Sequence, residues 1–377
     1  MSVEETMNKA AGHLIVDLNA IQANWRRIVE EVGVDCQVSA VVKADAYGLG
    51  VSEVASALAG AGCRQFFVAT VDEALQLRAI LNERNADIYI LSGVTVDAFS
   101  LCQHHKFIPV LFTPELVAQW SEYCRQSGEA LESVIKIDTG MHRLGLTMEE
   151  FDHLLRSPGV VHSANPGCMM SHLACADEPG HSLNAVQLAR FRLCHERLLS
   201  VVSSVRTSFA NSSGVFLGAD YHGDIVRPGY SLYGGNPLPG KPNPMQAVVS
   251  LTLPVAQVKR VYGAATVGYG ATFQIAEGEC RRLAIIQGGY ADGIFRCLSN
   301  QGCGYVGEHR VDMVGRVSMD TIVFDVTAVP EALNIGQIEL LGPHQGVDDL
   351  AVAANTIGYE VLTQLGERYH RTYTSNS

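Results

Sequence analysis

The chain has 377 residues, a net charge of -12, 47% hydrophobic and 18% charged residues, and ten cysteines. That length exceeds the ~250 residues of a single (β/α)8 barrel, so further structure is expected; the acidic balance argues against nucleic acid, whose phosphates want a basic surface. No apolar run reaches the ~20 residues of a membrane span, "MSVEETMNKAAGH" lacks a signal-peptide core, and cysteines without a CxxC pair predict reduced thiols in a cytoplasm, with no disulfide frame and no metal site.

From residue 13 the pattern alternates. "LIVDL" (14–18) reads as a strand and is followed by apolar residues at helical spacing, Ile21, Trp25, Ile28 and Val29. "QVSAVVK", "FFVAT" (66–70), "DIYILSG" (87–93), "IPVLF" (108–112), "SVIKIDTG" (133–140), "CMMSHLA" (168–174) and "RTSFANSSG" (206–214) read as further strands, separated by helical stretches. "DIVRPGYSLYGG" closes the series. Thr113 and Pro114 form a helix start. Roughly eight βα units with apolar strands predict a parallel (β/α)8 barrel, with a doubly wound open sheet as the alternative. "GGNPLPGKPNPMQ" (234–246) reads as a linker. Strand-like runs joined by glycine-rich turns follow it, with one late helix around "VDDLAVAANTIG" and a loose tail "TYTSNS". The expected domains are a barrel over residues 1–240 and a mainly β domain over 241–377.

"GLGVSE" (48–53) follows a strand and opens a helix. Glu53 stands where a dinucleotide fingerprint needs its third glycine, and no acid marks a ribose contact. A helix start after Gly50 can still hold a phosphate.

Lys43 ends a predicted barrel strand, on the face where such barrels keep their chemistry. A crowded lysine loses its proton more easily and can attack a carbonyl, giving a Schiff base. Other strand ends carry Lys136, Asp138 and Arg143 in "KIDTGMHRLG", His172 in "SHLA", Asn211, Ser212 and Ser213 in "ANSSG", and Arg227 in "VRPGY". Small hydroxyls and backbone N–H groups there suit an anion such as a phosphate.

The ordered series "VVKADAYGLG", "KIDTGMHRLG", "SHLACADE", "ANSSG", "VRPGYSLYGG", "VGYGATF", "GGYADGIFR" and "VGRVSMD" resembles the serial motifs of the alanine racemases, fold-type III enzymes that use pyridoxal 5′-phosphate. The resemblance covers about residues 14–371. It implies that Lys43 holds the cofactor and serves as base on one face of the substrate. Tyr269 would serve the other face, reaching the barrel of the second subunit of a homodimer. A tyrosine with an ordinary pKa near 10 is a poor base at neutral pH and needs help. The family pattern sets His172 beside it and links His172 to Arg227, which faces the pyridine nitrogen. Because arginine keeps its proton, that nitrogen should stay unprotonated.

The resemblance further assigns the phosphate to Tyr47, Ser212, Gly229 and Tyr230, and the substrate carboxylate to Arg143 and the backbone N–H of Met319. Lys136 matches a lysine that is often carbamylated. Tyr290, Asp177 and Arg296 match residues on the substrate's approach, and Asp320 stands beside Met319 in a supporting role. Three positions depart from the family: Leu49 and Ser208 stand where histidines are common, and Glu367 stands where some members have tyrosine. The expected reaction is interconversion of L- and D-alanine. A broader racemase acting on serine, lysine or arginine is the alternative. A fold-type III decarboxylase would want an acid where Arg227 stands, and a non-catalytic carrier would lack the β domain.

Overall fold

The computed structural model describes residues 12–82 and 85–375. The chain forms two compact units. One comprises residues 21–232 and 236–246; the other comprises residues 12–20, 233–235 and 247–375.

The first unit is the (β/α)8 barrel. Strand β1 (His13–Asp17) precedes it in the chain and belongs elsewhere. The barrel begins with β2 (Gln37–Val38) and β3 (Ala40–Val41), two halves of one extended run. It continues through β4 (Gln65–Val68), β5 (Asp87–Ile90), β6 (Phe107–Leu111), β7 (Ser133–Lys136), β8 (Pro166–Met170) and β9 (Arg206–Ser208), joined in that order with parallel pairing. Strand β10 (Ile225–Val226) pairs in parallel with β2. The Arg227 N–H also bonds to the Ala210 carbonyl, which ties the end of β10 to the segment after β9.

The apolar runs explain this architecture. Every residue of β4 is buried, and successive side chains on a strand point to opposite faces. Phe66 and Phe67 are both fully buried, so both faces of the strand are covered. Each such side chain contributes about 1.5–3 kcal/mol. Helices between the strands carry ordinary start signals. Thr70 and Glu73 form a capping box on Val71–Leu81, and Thr113 caps Pro114–Ser127 with proline at the first position.

The second unit is mainly β. Its strands are β11 (Val249–Tyr262), β12 (Ala265–Val267), β13 (Phe273–Ile275), β14 (Cys280–Gln287), β15 (Cys303–Val306), β16 (His309–Met313), β17 (Thr321–Asp325), β18 (Gln337–Leu341) and β19 (His370–Thr374). The long β11 pairs with both β18 and β14, which closes the run β14-β17-β16-β15-β18-β11 into a barrel. Strands β12 and β13 form a separate hairpin. The expected late helix is present as Val347–Ala353, and a second short helix, Gly358–Thr363, follows it.

Two expectations change. Strand β1 does not open the barrel: it pairs antiparallel with β11 and parallel with β19. Its burial alternates, with Leu14 and Val16 inside, as suits a strand covered on one face only. The tail is not loose through Thr374, because β19 pairs residue by residue with β1; residues 376–377 lie outside the described residues, as does the start of "MSVEETMNKAAGH" through residue 11. All ten cysteines are unpaired thiols. Among the described residues no helix is long and apolar enough to cross a membrane.

Candidate active site

Lys43 lies two residues beyond β3, where the chain enters a left-handed turn. Ala44, Asp45, Ala46 and Tyr47 all have φ between +52° and +59°. Side-chain-bearing residues resist this conformation, at about 1–2 kcal/mol each. Gly48 and Gly50 continue it at φ of +81° and +95°, which is the use of the glycines in "GLG". The Asp45 carboxylate accepts the Val51 N–H at 2.7 Å. That bond takes up the first N–H of the helix that starts after Gly50.

Around Lys43 the barrel unit brings together Lys136, His172 and Arg227, with the charge of Arg143 acting on all but the last. Burial first, then Arg143, lowers the Lys43 pKa, and Glu73 opposes the shift. Lys136 is only 6% exposed. Burial lowers its pKa to about 8, helped by Arg227, Arg143 and Lys43 and opposed by Asp138. Among the described residues no carboxylate forms an ion pair within 4 Å with Lys43, Lys136, Arg143 or Arg227.

Arg227 is held on several sides. Nη1 donates to Ser208 Oγ at 2.5 Å, and Nη2 donates to the Ser171 carbonyl at 2.6 Å and contacts His172 Nδ1 at 3.4 Å. Arginine only donates, so His172 Nδ1 accepts, and a neutral ring then carries its hydrogen on Nε2. Burial and the charge of Arg227 push the His172 pKa well down, so the ring is neutral. Burial brings the Arg227 pKa to about 10, which leaves the guanidinium charged at neutral pH. The serine departure at position 208 keeps a hydrogen-bond chain: its Oγ takes the Arg227 donor and donates to the Ile225 carbonyl at 2.7 Å.

Arg143 is exposed, and its loop is organised by a residue whose role the sequence did not disclose. Asp138 accepts four backbone N–H groups, those of Gly140, Met141 and His142 at Oδ1 and that of Arg143 at Oδ2. Although burial acts to raise it, these bonds and His142 leave the Asp138 pKa below its ordinary value.

At the turn after β10, Ser212 Oγ accepts the N–H groups of Gly229 at 3.0 Å and Ser231 at 3.2 Å. Its own hydrogen meets no acceptor among the described residues. Ser231 Oγ is buried and likewise without a partner there. Gly229 admits no side chain, because a Cβ would fall 2.4 Å from Tyr47 Oη. A hydroxyl on this buried turn, Ser231, and one facing it from the segment after β9, Ser212 with its hydrogen still to donate, fit an anionic group such as a phosphate, with Tyr47 against the turn. Tyr230 is buried on the same turn, while Asp177 is exposed in the loop after β8.

The remaining expected residues belong to the β unit. Tyr269 sits at the tip of the β12–β13 hairpin and is 71% exposed. The loops around Tyr290 and Met319 are bonded together: the Tyr290 N–H donates to the Ser318 carbonyl and the Ala291 N–H to the Met319 carbonyl. Asp320 pairs with Arg368 at 2.8 Å, and Arg368 also grips buried Asp292 through two bonds of 2.6 Å. Arg296 and Glu367 are exposed in turns of the same unit.

Residues 16–237 match the family model of the alanine racemase N-terminal domain, and residues 248–373 that of the C-terminal domain. The chain belongs to the alanine racemase family. It is 43% identical over 375 residues to the catabolic alanine racemase of Agrobacterium fabrum, covering 99% of this chain and 95% of that one. It is also 43% identical to the alanine racemase of Rhodospirillum rubrum, over 97% and 96% of the two chains. Among solved structures it resembles the alanine racemase of Bartonella henselae, which carries covalently bound pyridoxal phosphate, with a TM-score of 0.91 and 39% identity over 97% of this chain and all of that one. The alanine racemase of Streptomyces coelicolor superposes with a TM-score of 0.90 at 30% identity, covering 97% and 98%. The chain is a pyridoxal-phosphate-dependent alanine racemase, an isomerase whose substrate is an amino acid.

Proposed function

We propose that alanine is racemised at the barrel mouth by two bases, Lys43 and the partner subunit's Tyr269. The observation that carries this reading is the state of Lys43: a crowded amine at a strand end, among cations and without an ion-paired carboxylate, gives up its proton readily.

In this reading Lys43 holds the cofactor's aldehyde. Tyr47, Ser212, Gly229 and Tyr230 hold its phosphate, and Ser231 Oγ adds a hydroxyl at the same turn. When bound, the cofactor supplies an electron sink for the charge that develops at the substrate Cα. Lys43 Nζ removes or returns the Cα proton on one face, and Tyr269 Oη acts on the other. His172, neutral and fixed by Arg227, presents its Nε2 hydrogen as the link towards Tyr269. Arg227 keeps its own proton and so leaves the ring nitrogen unprotonated. Arg143 and the Met319 N–H bind the substrate carboxylate, with Asp320 supporting that loop. Tyr290, Asp177 and Arg296 border the approach and favour a small side chain.

Lys136 takes up carbon dioxide as a carbamate, releasing a proton and gaining a negative charge opposite Arg143. Its pKa of about 8 supports this, since an amine must be unprotonated to react. A homodimer with composite sites follows, and the exposed hairpin position of Tyr269 supports it. The barrel domain binds the cofactor and the β domain completes the partner's site. The protein works in the cytoplasm.

The test is deuterium uptake at Cα in heavy water, followed by NMR and chiral chromatography over a panel of amino acids. Exchange with inversion for alanine is expected, and exchange across larger or cationic side chains would favour the broader racemase. Tyr269→Phe should slow proton removal from one enantiomer far more than from the other, within the roughly 10²–10⁴-fold span of general acid–base catalysis. Equal loss for both, with cofactor bound, would contradict the assignment of two bases.

A further inference from the structure

The left-handed turn that carries Lys43 and Tyr47 needs an external hold. Inside the loop, Ala46 N–H bonds to Val42 O, Leu49 N–H to Ala46 O and Gly50 N–H to Asp45 O. The first amide of the left-handed run, that of Ala44, finds its partner elsewhere. It donates to Glu73 Oε1 at 2.8 Å. The other oxygen of the same carboxylate accepts the N–H of Ala69 at 2.6 Å, just beyond β4.

We propose that Glu73 is a positioning residue for Lys43: its carboxylate bridges the chain just beyond β3 and β4 and fixes the turn on which Lys43 and Tyr47 stand. The inference rests on the reading of Lys43 as the residue that holds the cofactor. Glu73 also closes the capping box of its helix, so an ordinary structural role competes with this one. Geometry separates the two. A capping box needs the carboxylate to reach back to the cap residue, here Thr70, whose N–H lies at a long 3.4 Å from Oε2. The shorter bonds run to Ala69 and to Ala44, which is 29 residues away in the chain. Glu73 is also the acidic group that acts on Lys43, opposing burial and Arg143.

Three variants distinguish the roles. Thr70→Ala removes the hydroxyl that accepts the Glu73 N–H and weakens the helix start, while the carboxylate bridge remains. Glu73→Ala removes the bridge and the carboxylate half of the capping box, while the backbone N–H of residue 73 still meets the Thr70 hydroxyl. Glu73→Gln keeps one acceptor and drops the charge. Amide hydrogen exchange of the full-length protein without cofactor would be read at Ala44, alongside the pH midpoint of amine labelling at Lys43 by mass spectrometry. Cofactor affinity would be titrated separately.

In Glu73→Ala, exchange at Ala44 should rise at least tenfold and cofactor affinity should fall at least tenfold. In Glu73→Gln, the Lys43 labelling midpoint should move to lower pH, and cofactor affinity should lie between those of wild type and Glu73→Ala. Thr70→Ala should lose thermal stability yet keep wild-type values of all three. The proposal is overturned if Glu73→Ala matches Thr70→Ala in Ala44 exchange and cofactor affinity. If Lys43→Ala left cofactor binding and activity intact, the reading of Lys43 would fail, while the Ala44 exchange result would still report on the bridge.

Discussion

As a free amine, without its carbamate, Lys136 carries a positive charge into the barrel with no carboxylate inside ion-pair distance, and that burial is a cost to the folded protein. The pH dependence follows from the proton count. An unfolded lysine titrates near 10.4 and the folded one near 8, so between those values the unfolded chain binds more protons. Stability therefore rises with pH through that window, and the full penalty applies below about 8. Lys136→Met should raise the melting temperature of the cofactor-free protein at pH 7 in buffer free of carbon dioxide. The gain should correspond to roughly 2–3 kcal/mol and fade above about pH 10. Calorimetry showing no gain at pH 7, or the same gain at pH 7 and 11, would contradict the account. At this scale the sequence exposed Lys43, Lys136, His172 and Arg227 because each follows an apolar run that ends at the barrel mouth. It hid the work of Asp138 and Glu73. Four amides converge on Asp138 only once the loop has folded, and nothing in "TVDE" marks Glu73 until its distant partner, Ala44, is in view.

The barrel strands were legible for a related reason. "FFV" and "PVL" are apolar on consecutive positions, as suits a strand covered on both faces. Strand β1 defeats the same logic, because "LIV" is equally apolar although Ile15 is only half-buried. Its partner in β19 comes from the far end of the chain, a pairing that no local pattern announces. The buried side of β1 should therefore matter to the β unit. Leu14→Ala, at a fully buried site opposite Leu251, should cost about 2–5 kcal/mol in chemical denaturation. A cost below about 1 kcal/mol would mean that β1 is an ornament on β11 rather than part of its core.

For the whole molecule, the proposed reaction is divided between two parts of the chain, with Lys43 on the barrel and Tyr269 on an exposed hairpin of the β unit. In a two-fold dimer with composite sites, each site takes its lysine from one subunit and its tyrosine from the other. Lys43→Ala and Tyr269→Phe would then fail alone for different reasons, and each would retain what the other lacks. The most direct measurement is to mix the two inactive variants, let the subunits exchange, and assay racemisation of alanine. Random reassociation makes half of the dimers mixed, and each mixed dimer holds one intact site, so the account predicts recovery of about a quarter of wild-type activity. If the mixture stays as inactive as its parts although mixed dimers are shown to form, Lys43 and Tyr269 do not act together across a subunit interface.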